Sequence, residues 1–146
     1  MNLFFDTSAL VKFFHKEEGT QKVTELINNE NNVIWISDLA SLEFYSAVFR
    51  RFRNKEIDED ELEAAISGFE EQIASFNVES LGDVIIEEAN SLLKEYGKGY
   101  GLRALDALHL GAFSLICDDD WVFVTSDTNL GNILENIGYK TIDPLN

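Results

Sequence analysis

Short apolar runs that alternate with longer helical patterns are the feature that most limits what this chain can fold into. Five runs carry the strand-forming character, the third of them only briefly: residues 3–5, 33–36, 77–79, 122–125 and 139–142. Between them apolar residues recur at helical spacing. Strands that alternate with helices form a parallel sheet covered on both faces. We therefore predict an α/β fold with three layers, α/β/α.

The helical patterns predict seven helices, at residues 8–15, 20–28, 38–53, 58–76, 84–96, 102–117 and 129–136. Among the glycines expected to end helices are Gly97 after the fifth and Gly138 after the last. The pattern at 102–117 is apolar almost all round, which predicts a central, buried helix.

Length and composition predict one compact domain over residues 1–146. Hydrophobic residues make up 45% of the chain, enough for a sizeable core. Cys117 is the only cysteine, so the chain holds neither an internal disulfide nor a Cys-based metal site. No apolar stretch has membrane-spanning length, and the first residues do not resemble a signal peptide. We expect a cytoplasmic protein without a membrane segment.

The net charge of −16 is unevenly distributed. Residues 56–95 hold thirteen acidic side chains and one basic side chain, Lys94, whereas basic residues cluster at 12–22 and 50–55. Nucleic-acid-binding proteins are usually basic, so the overall charge argues against tight non-specific binding of RNA. The acidic stretch is interpreted as a solvated helical surface or as a surface for a basic partner.

Four carboxylates stand in positions that require an explanation. Asp6 and Asp127 each follow a predicted strand, and sites of parallel α/β sheets lie beyond the carboxyl ends of the strands. Glu43 and Asp106 lie inside apolar helical segments. A buried ionised carboxylate is costly unless it is paired.

Separate local explanations exist for each acid. They are helix capping by Asp6 and Asp127, and ion pairs of Glu43 with Arg50 and of Asp106 with Arg103 or His109. One shared divalent cation would explain all four at once. Carboxylates held close together repel, and without a cation one of them retains a proton.

Oxygen ligands suit Mg²⁺ or Mn²⁺, and water bound to such an ion can attack a phosphodiester. The hydroxyls of Ser8, Thr125 and Ser126 are close in sequence to two of the acids, and we expect them to orient ligands or water. These residues predict a metal-dependent hydrolase of phosphodiesters.

The segments that contain the four acids resemble the motifs of PIN domains: residues 4–12, 41–47, 102–110 and 125–130. Their order and spacing match over nearly the whole chain, and the third segment is most similar to VapC-type toxins. The resemblance implies a PIN-like sheet of about five parallel strands in the order 3-2-1-4-5. It also implies Mg²⁺- or Mn²⁺-dependent endoribonuclease activity on RNA such as tRNA or rRNA, homodimerisation, and inhibition by a small VapB-like antitoxin.

The resemblance also assigns roles to residues. It implies that the catalytic, metal-binding acids are Asp6, Glu43, Asp106 and Asp127, and that the supporting groups are Ser8, Thr125 and Ser126. Lys12 and Arg103 are further candidates for contacts with the RNA substrate.

Other functions are weighed against this one. A non-catalytic module that docks a basic partner through the acidic stretch remains the alternative. A phosphatase of the haloacid-dehalogenase kind needs a second Asp where Ser8 stands, and the glycines at 97–101 lack the spacing of a phosphate-binding loop.

Overall fold

The computed structural model describes every residue from Met1 to Asn146, and strands alternate with helices along it. The elements in chain order are β1 (Asn2–Phe5), α1 (Thr7–Phe14), α2 (Thr20–Asn28), β2 (Val33–Ser37), α3 (Leu39–Arg53), α4 (Glu59–Gln72), β3 (Asn77–Glu79), α5 (Asp83–Tyr100), α6 (Ala104–Ile116), β4 (Val122–Val124), α7 (Thr128–Ile137) and β5 (Lys140–Ile142). A 3₁₀ turn, Ile73–Ser75, follows α4. No helix has the length and apolar character that crossing a membrane requires.

The five strands form one parallel sheet in the order β3-β2-β1-β4-β5. The strand β1 is central, with Leu3 opposite Ile34 of β2 on one side and Val122 of β4 on the other. This arrangement confirms the three-layer α/β/α prediction and the strand order implied by the resemblance.

The two faces of the sheet bury separate apolar clusters. Successive side chains of a strand point to opposite faces, so Leu3 and Phe5 pack with α1 to α4, whereas Phe4 packs with α5 to α7. On the first face Phe44 of α3 stacks on Phe69 of α4, with ring centroids 4.1 Å apart. The helices α3 and α6 therefore approach the sheet from opposite sides.

The predicted helix end at Gly97 is wrong. The helix α5 continues to Tyr100 and ends at Gly101, which has a left-handed φ of 70°. The N–H of Leu102 donates to the carbonyl of Tyr96 at 3.2 Å, which closes the helix end, and the side chain of Leu102 is buried. Helices tolerate an isolated glycine such as Gly97. The other predicted glycine end, at Gly138, is confirmed by its φ of 107°.

Two other boundaries also differ from the prediction. The pattern at 58–76 is helical only to Gln72 and then tightens into the 3₁₀ turn. The buried helix expected from 102 begins at Ala104, because Gly101 to Arg103 form the connection from α5.

The helices α5 and α6 pack closely at Gly111. A Cβ at this position would lie 3.2 Å from the carbonyl oxygen of Ile85 and 3.4 Å from the amide nitrogen of Ala89. Both are backbone atoms of a helix, so they cannot move aside as the end of a side chain can.

We predict that Gly111→Ala lowers the free energy of unfolding by about 1–3 kcal/mol, because the two helices must separate. Gly68→Ala in α4 is the matched control, since its Cβ would meet only Phe14 Cδ1 at 3.6 Å. That variant is expected to be neutral or more stable by up to about 1 kcal/mol, the helix preference of Ala over Gly. Urea unfolding measures both changes, and equal effects would contradict the close packing.

Candidate active site

The adjacent carboxyl ends of β1 and β4 hold the first part of the site. The amide of Asp6 donates to the carbonyl of Val124 at 3.2 Å, and the hydroxyl of Thr125 donates to Asp6 Oδ2 at 2.5 Å. Parallel pairing of the two strands therefore places Asp6 beside the segment that leads to Asp127.

Asp6 is almost completely buried, with 3% of its surface exposed. Its Oδ1 accepts from Ser8 Oγ at 2.7 Å and from the amide of Ala9 at 3.1 Å, the second bond capping α1. Burial raises the pKa of Asp6, and the charge of His109 and the hydrogen bonds compensate only in part. All the donors that bond this carboxylate are neutral groups.

Hydroxyl groups connect Asp6 to the loop after β4. The amide of Asp127 donates to Thr125 Oγ1 and the amide of Ser126 donates to Ser8 Oγ, each at 3.0 Å. Asp127 Oδ1 accepts from the amide of Leu130 at 2.9 Å and caps α7. The hydroxyls of Ser8 and Thr125 therefore bond the carboxylate of Asp6, whereas Ser126 takes part through its backbone amide and its hydroxyl has no partner.

Glu43 reaches the site from α3 and is held by two groups that the sequence analysis did not assign to the site. Its Oε1 accepts from Thr7 Oγ1 at 2.9 Å and is hydrogen-bonded to Nε2 of the buried His109 of α6. Burial favours the neutral acid, but the hydrogen bond and charge of His109 outweigh it and lower the pKa of Glu43. The alternative pairing with Arg50 is wrong, since His109 is the partner.

Arg103 joins the two remaining acids. Its Nη2 lies 3.1 Å from Asp106 Oδ2 and 2.9 Å from Asp127 Oδ2, while 69% of the Arg103 side chain is exposed. Burial raises the pKa of Asp106 despite the hydrogen bond from Arg103, and the negative charge of Asp127 raises it further. The local alternative for Asp106, an ion pair with Arg103, is therefore present.

The two capping alternatives are present as well, and they leave oxygens for a second role. Asp6 and Asp127 each cap a helix through Oδ1. The Oδ2 atom of Asp6 bonds to Thr125, and that of Asp127 bonds to Arg103. Capping fixes the orientation of each carboxylate without using both of its oxygens.

The donor set is composed of carboxylate and hydroxyl oxygens, which Mg²⁺ and Mn²⁺ prefer. No group of three or more His, Cys, Asp or Glu side chains has the arrangement that would hold a metal ion. Arg103 forms ion pairs with Asp106 and Asp127, and His109 bonds Glu43. Three of the four acids therefore already have a side-chain nitrogen as partner. The oxygen chemistry of the four acids suits such an ion, whereas the arrangement of Asp106 and Asp127 around Arg103 is that of an ion pair.

The two residues predicted to contact substrate lie in different settings. Lys12 is buried, with its Nζ 2.9 Å from Glu17 Oε1. Arg103 is exposed and bound to the acids. Thr7 is a site residue that the sequence analysis missed, and His109, considered there only as a partner of Asp106, bonds Glu43 instead. Thr7 directly follows Asp6, and His109 lies one helical turn after Asp106, which are the signals that could have found them.

The fold and the site define an α/β protein with a cluster of acids at the carboxyl edge of its central strands. The family model of the PIN domain matches residues 3–133, so the chain belongs to the PIN domain family. No curated protein sequence matches the chain.

Solved structures share the fold at low sequence identity. VapC20 of Mycobacterium tuberculosis, a toxin that cleaves the sarcin-ricin loop, is similar with a TM-score of 0.72 and 15% identity over 97% of this chain and 99% of that chain. VapBC2 of Rickettsia felis, bound to a fragment of promoter DNA, has a TM-score of 0.66 and 16% identity over 98% of each chain. PAE2754 of Pyrobaculum aerophilum has a TM-score of 0.62 and 22% identity over 89% of this chain and 82% of that chain.

We predict that Arg103→Gln binds Mn²⁺ a few-fold more tightly than the wild type, because the guanidinium competes with the ion for Asp106 and Asp127 and exposed ion pairs are weak. Lys98→Gln removes the same charge from an exposed, unpaired position on α5 and is the control for long-range electrostatics. Isothermal titration measures the affinities. Weaker binding by Arg103→Gln than by Lys98→Gln would contradict the competition.

We predict that Asp6→Asn is more stable than the wild type at pH 7 in EDTA. Above the ordinary pKa of 3.8 the unfolded chain has lost the Asp6 proton while the folded protein retains it, so wild-type stability falls as pH rises through the raised pKa. Asn still caps α1, and it removes this loss.

Glu43→Gln is expected to change the stability in the opposite direction to Asp6→Asn. The lowered pKa of Glu43 contributes stability above its ordinary value of 4.5 that is lost as pH falls through the folded value. This variant should therefore melt below the wild type at pH 7, and the difference should shrink in acid. Thermal unfolding in EDTA from pH 3 to 8 distinguishes the two, and a lower melting temperature of Asp6→Asn at pH 7 would contradict the assignment.

Proposed function

We propose that the protein is a metal-dependent endoribonuclease and the toxin of a toxin–antitoxin pair. The observation that carries the proposal is the convergence of Asp6, Glu43, Asp106 and Asp127 at one edge of the sheet in a chain of the PIN domain family. Arg103 and His109 bond three of these carboxylates, which supports a site that binds positively charged groups.

The four carboxylates would hold Mg²⁺ or Mn²⁺. The ion would supply a water of lowered pKa and neutralise the charge that develops on the phosphate. Asp6 and Asp127 offer oriented oxygens because each is fixed as a helix cap. His109 and Thr7 hold Glu43 ionised and in place, and the hydroxyls of Thr125 and Ser8 keep the carboxylate of Asp6 from turning.

RNA is the proposed substrate, with tRNA or rRNA as the class. The similarity to VapC20, which cleaves the sarcin-ricin loop, supports this choice. The strong negative charge of the chain favours recognition of a defined RNA structure over tight non-specific binding, since long-range repulsion opposes the latter.

A small VapB-like antitoxin is the proposed partner, with a homodimer as the assembly and the cytoplasm as the location. Structures similar to this chain include VapBC from Salmonella typhimurium bound to DNA and VapBC-1 from Haemophilus influenzae. The contacts of Arg103 with Asp106 and Asp127 illustrate how an Arg or Lys of such a partner would occupy the acids.

The second candidate function is a non-catalytic module that docks a basic partner. The acidic, largely exposed surfaces of α4 and α5 favour it. Such binding would weaken steeply with salt and be unaffected by EDTA. Metal-dependent turnover would reject it as a full account.

We predict that Asp6→Asn and Asp106→Asn each reduce Mn²⁺-dependent RNA cleavage by on the order of 100-fold or more, the size of loss expected when a group that stabilises transition-state charge is removed. EDTA should abolish cleavage by the wild type. Asp119→Asn is the control, because Asp119 is exposed in the loop before β4 and so lies at the opposite edge of the sheet. Undiminished cleavage by purified, folded Asp6→Asn would refute the proposal.

A further inference from the structure

A cavity of about 590 Å³ adjoins the acids on the side of α1 and α3. This volume falls in the range of roughly 300–1,000 Å³ that is typical of ligand sites. Glu43, Ser8 and Ser126 line the cavity where it meets the active site, and Arg50 and Arg51 of α3 line it farther away. A ligand in the cavity would therefore reach the acids directly.

The side chains that line the cavity carry a small excess of positive charge, although the chain is strongly negative. Three basic side chains line it, Lys12, Arg50 and Arg51, against the two acidic side chains of Glu17 and Glu43. The net charge of the whole chain is −16. A polyanion that approaches this protein is attracted where positive charge is concentrated, and this cavity lies beside the acidic site.

Two buried donors of the cavity residues have no partner within the chain. Arg51 Nη2 is 2.8 Å from Glu17 Oε2, but Arg51 Nη1 is buried without a hydrogen bond, and so is Ser126 Oγ. Buried donors without acceptors are uncommon and destabilising. Because solvent does not reach either atom, an acceptor from outside the chain would bond it only after the side chain turns toward the cavity. Arg50 is exposed and takes part in none of the ion pairs.

We propose that this cavity binds the backbone phosphate of the RNA strand that neighbours the phosphate to be cleaved, with Arg50 and Arg51 as the ligating side chains. The inference rests on the proposed ribonuclease function. The planar guanidinium matches the geometry of phosphate oxygens, and the exposed guanidinium of Arg50, which is in no ion pair, supplies donors for them at the cavity wall. Lys12 acts indirectly, because its ion pair with Glu17 holds the residue that orients Arg51.

The arrangement favours a nucleic-acid strand over an acidic peptide. Glu43 belongs both to the cavity wall and to the site that would act on the phosphodiester. Phosphates repeat along a strand, so a strand with one phosphate at the acids presents the next one nearby, and the cavity is the adjacent positive site. Binding of an acidic peptide at the cavity in place of RNA is therefore an outcome that would overturn the proposal.

The test is fluorescence anisotropy of a labelled single-stranded RNA with full-length protein in EDTA, which separates binding from cleavage. Arg50→Gln is expected to weaken binding about 10-fold, the loss of one charge-assisted hydrogen bond. The slope of log affinity against log salt should fall by about 0.7, the value for one phosphate contact on a single strand. Arg53→Gln is the matched control, because it removes an exposed arginine of the same helix outside the cavity.

Arg51→Gln and Arg51→Lys extend the test to the buried guanidinium, with circular dichroism as the check of folding. Arg51→Gln should weaken RNA binding as Arg50→Gln does. Arg51→Lys should recover part of the lost affinity, because Lys keeps the positive charge but cannot form the paired hydrogen bonds of a guanidinium. An RNA with one neutral methylphosphonate linkage, moved along the strand, should identify a linkage whose neutralisation weakens the wild type but not Arg50→Gln.

The outcomes separate the two proposals. If Arg50→Gln and Arg53→Gln bind RNA equally while the wild type cleaves with Mn²⁺, the phosphate site is wrong and the ribonuclease stands. If methylphosphonate effects are the same in the wild type and Arg50→Gln at every linkage, the phosphate site is also wrong. If the wild type neither binds nor cleaves RNA, both proposals fall.

Discussion

The pairing of β1 with β4 is the interaction on which the rest of the site depends. Their parallel register brings Asp6 beside Thr125, and the hydrogen bonds between these segments fix the direction in which Asp127 leaves the sheet. The helices α3 and α6 cover opposite faces of the same sheet, so Glu43 and Asp106 reach the edge from two layers. The contact of His109 with Glu43 then joins those layers above the strand ends.

The negative charges of the four acids are compensated in different ways. Asp6, the most buried, is held by neutral donors and has a raised pKa, whereas His109 keeps Glu43 ionised. Asp106 and Asp127 both bond the exposed side chain of Arg103, and water can take over these hydrogen bonds when Arg103 moves away. Concentrating carboxylates in this way opposes stability, and side chains that are kept at such a cost are characteristic of functional sites.

Much of the fold could be predicted from sequence, because strand runs and helical spacing are local properties. The positions of Asp6 and Asp127 also follow from a local rule, since Asp6 directly follows β1 and Asp127 lies in the loop that follows β4. The partner of Glu43 could not be predicted in this way. His109 lies 66 residues away on a helix of the other layer, so the contact depends on how two helices pack across the sheet. The helix end at Gly101 instead of Gly97 likewise depends on where Leu102 is buried.

The proposed function requires that the four acids form one cation site and that Arg103 leaves Asp106 and Asp127 when an ion binds. Anomalous diffraction from crystals grown with Mn²⁺ tests it most directly, because it locates the ion without any assay. We expect a manganese peak bounded by carboxylate oxygens of Asp6, Glu43, Asp106 or Asp127, with Arg103 no longer bridging Asp106 and Asp127. Manganese bound only elsewhere, with Arg103 still in contact with both acids, would contradict it.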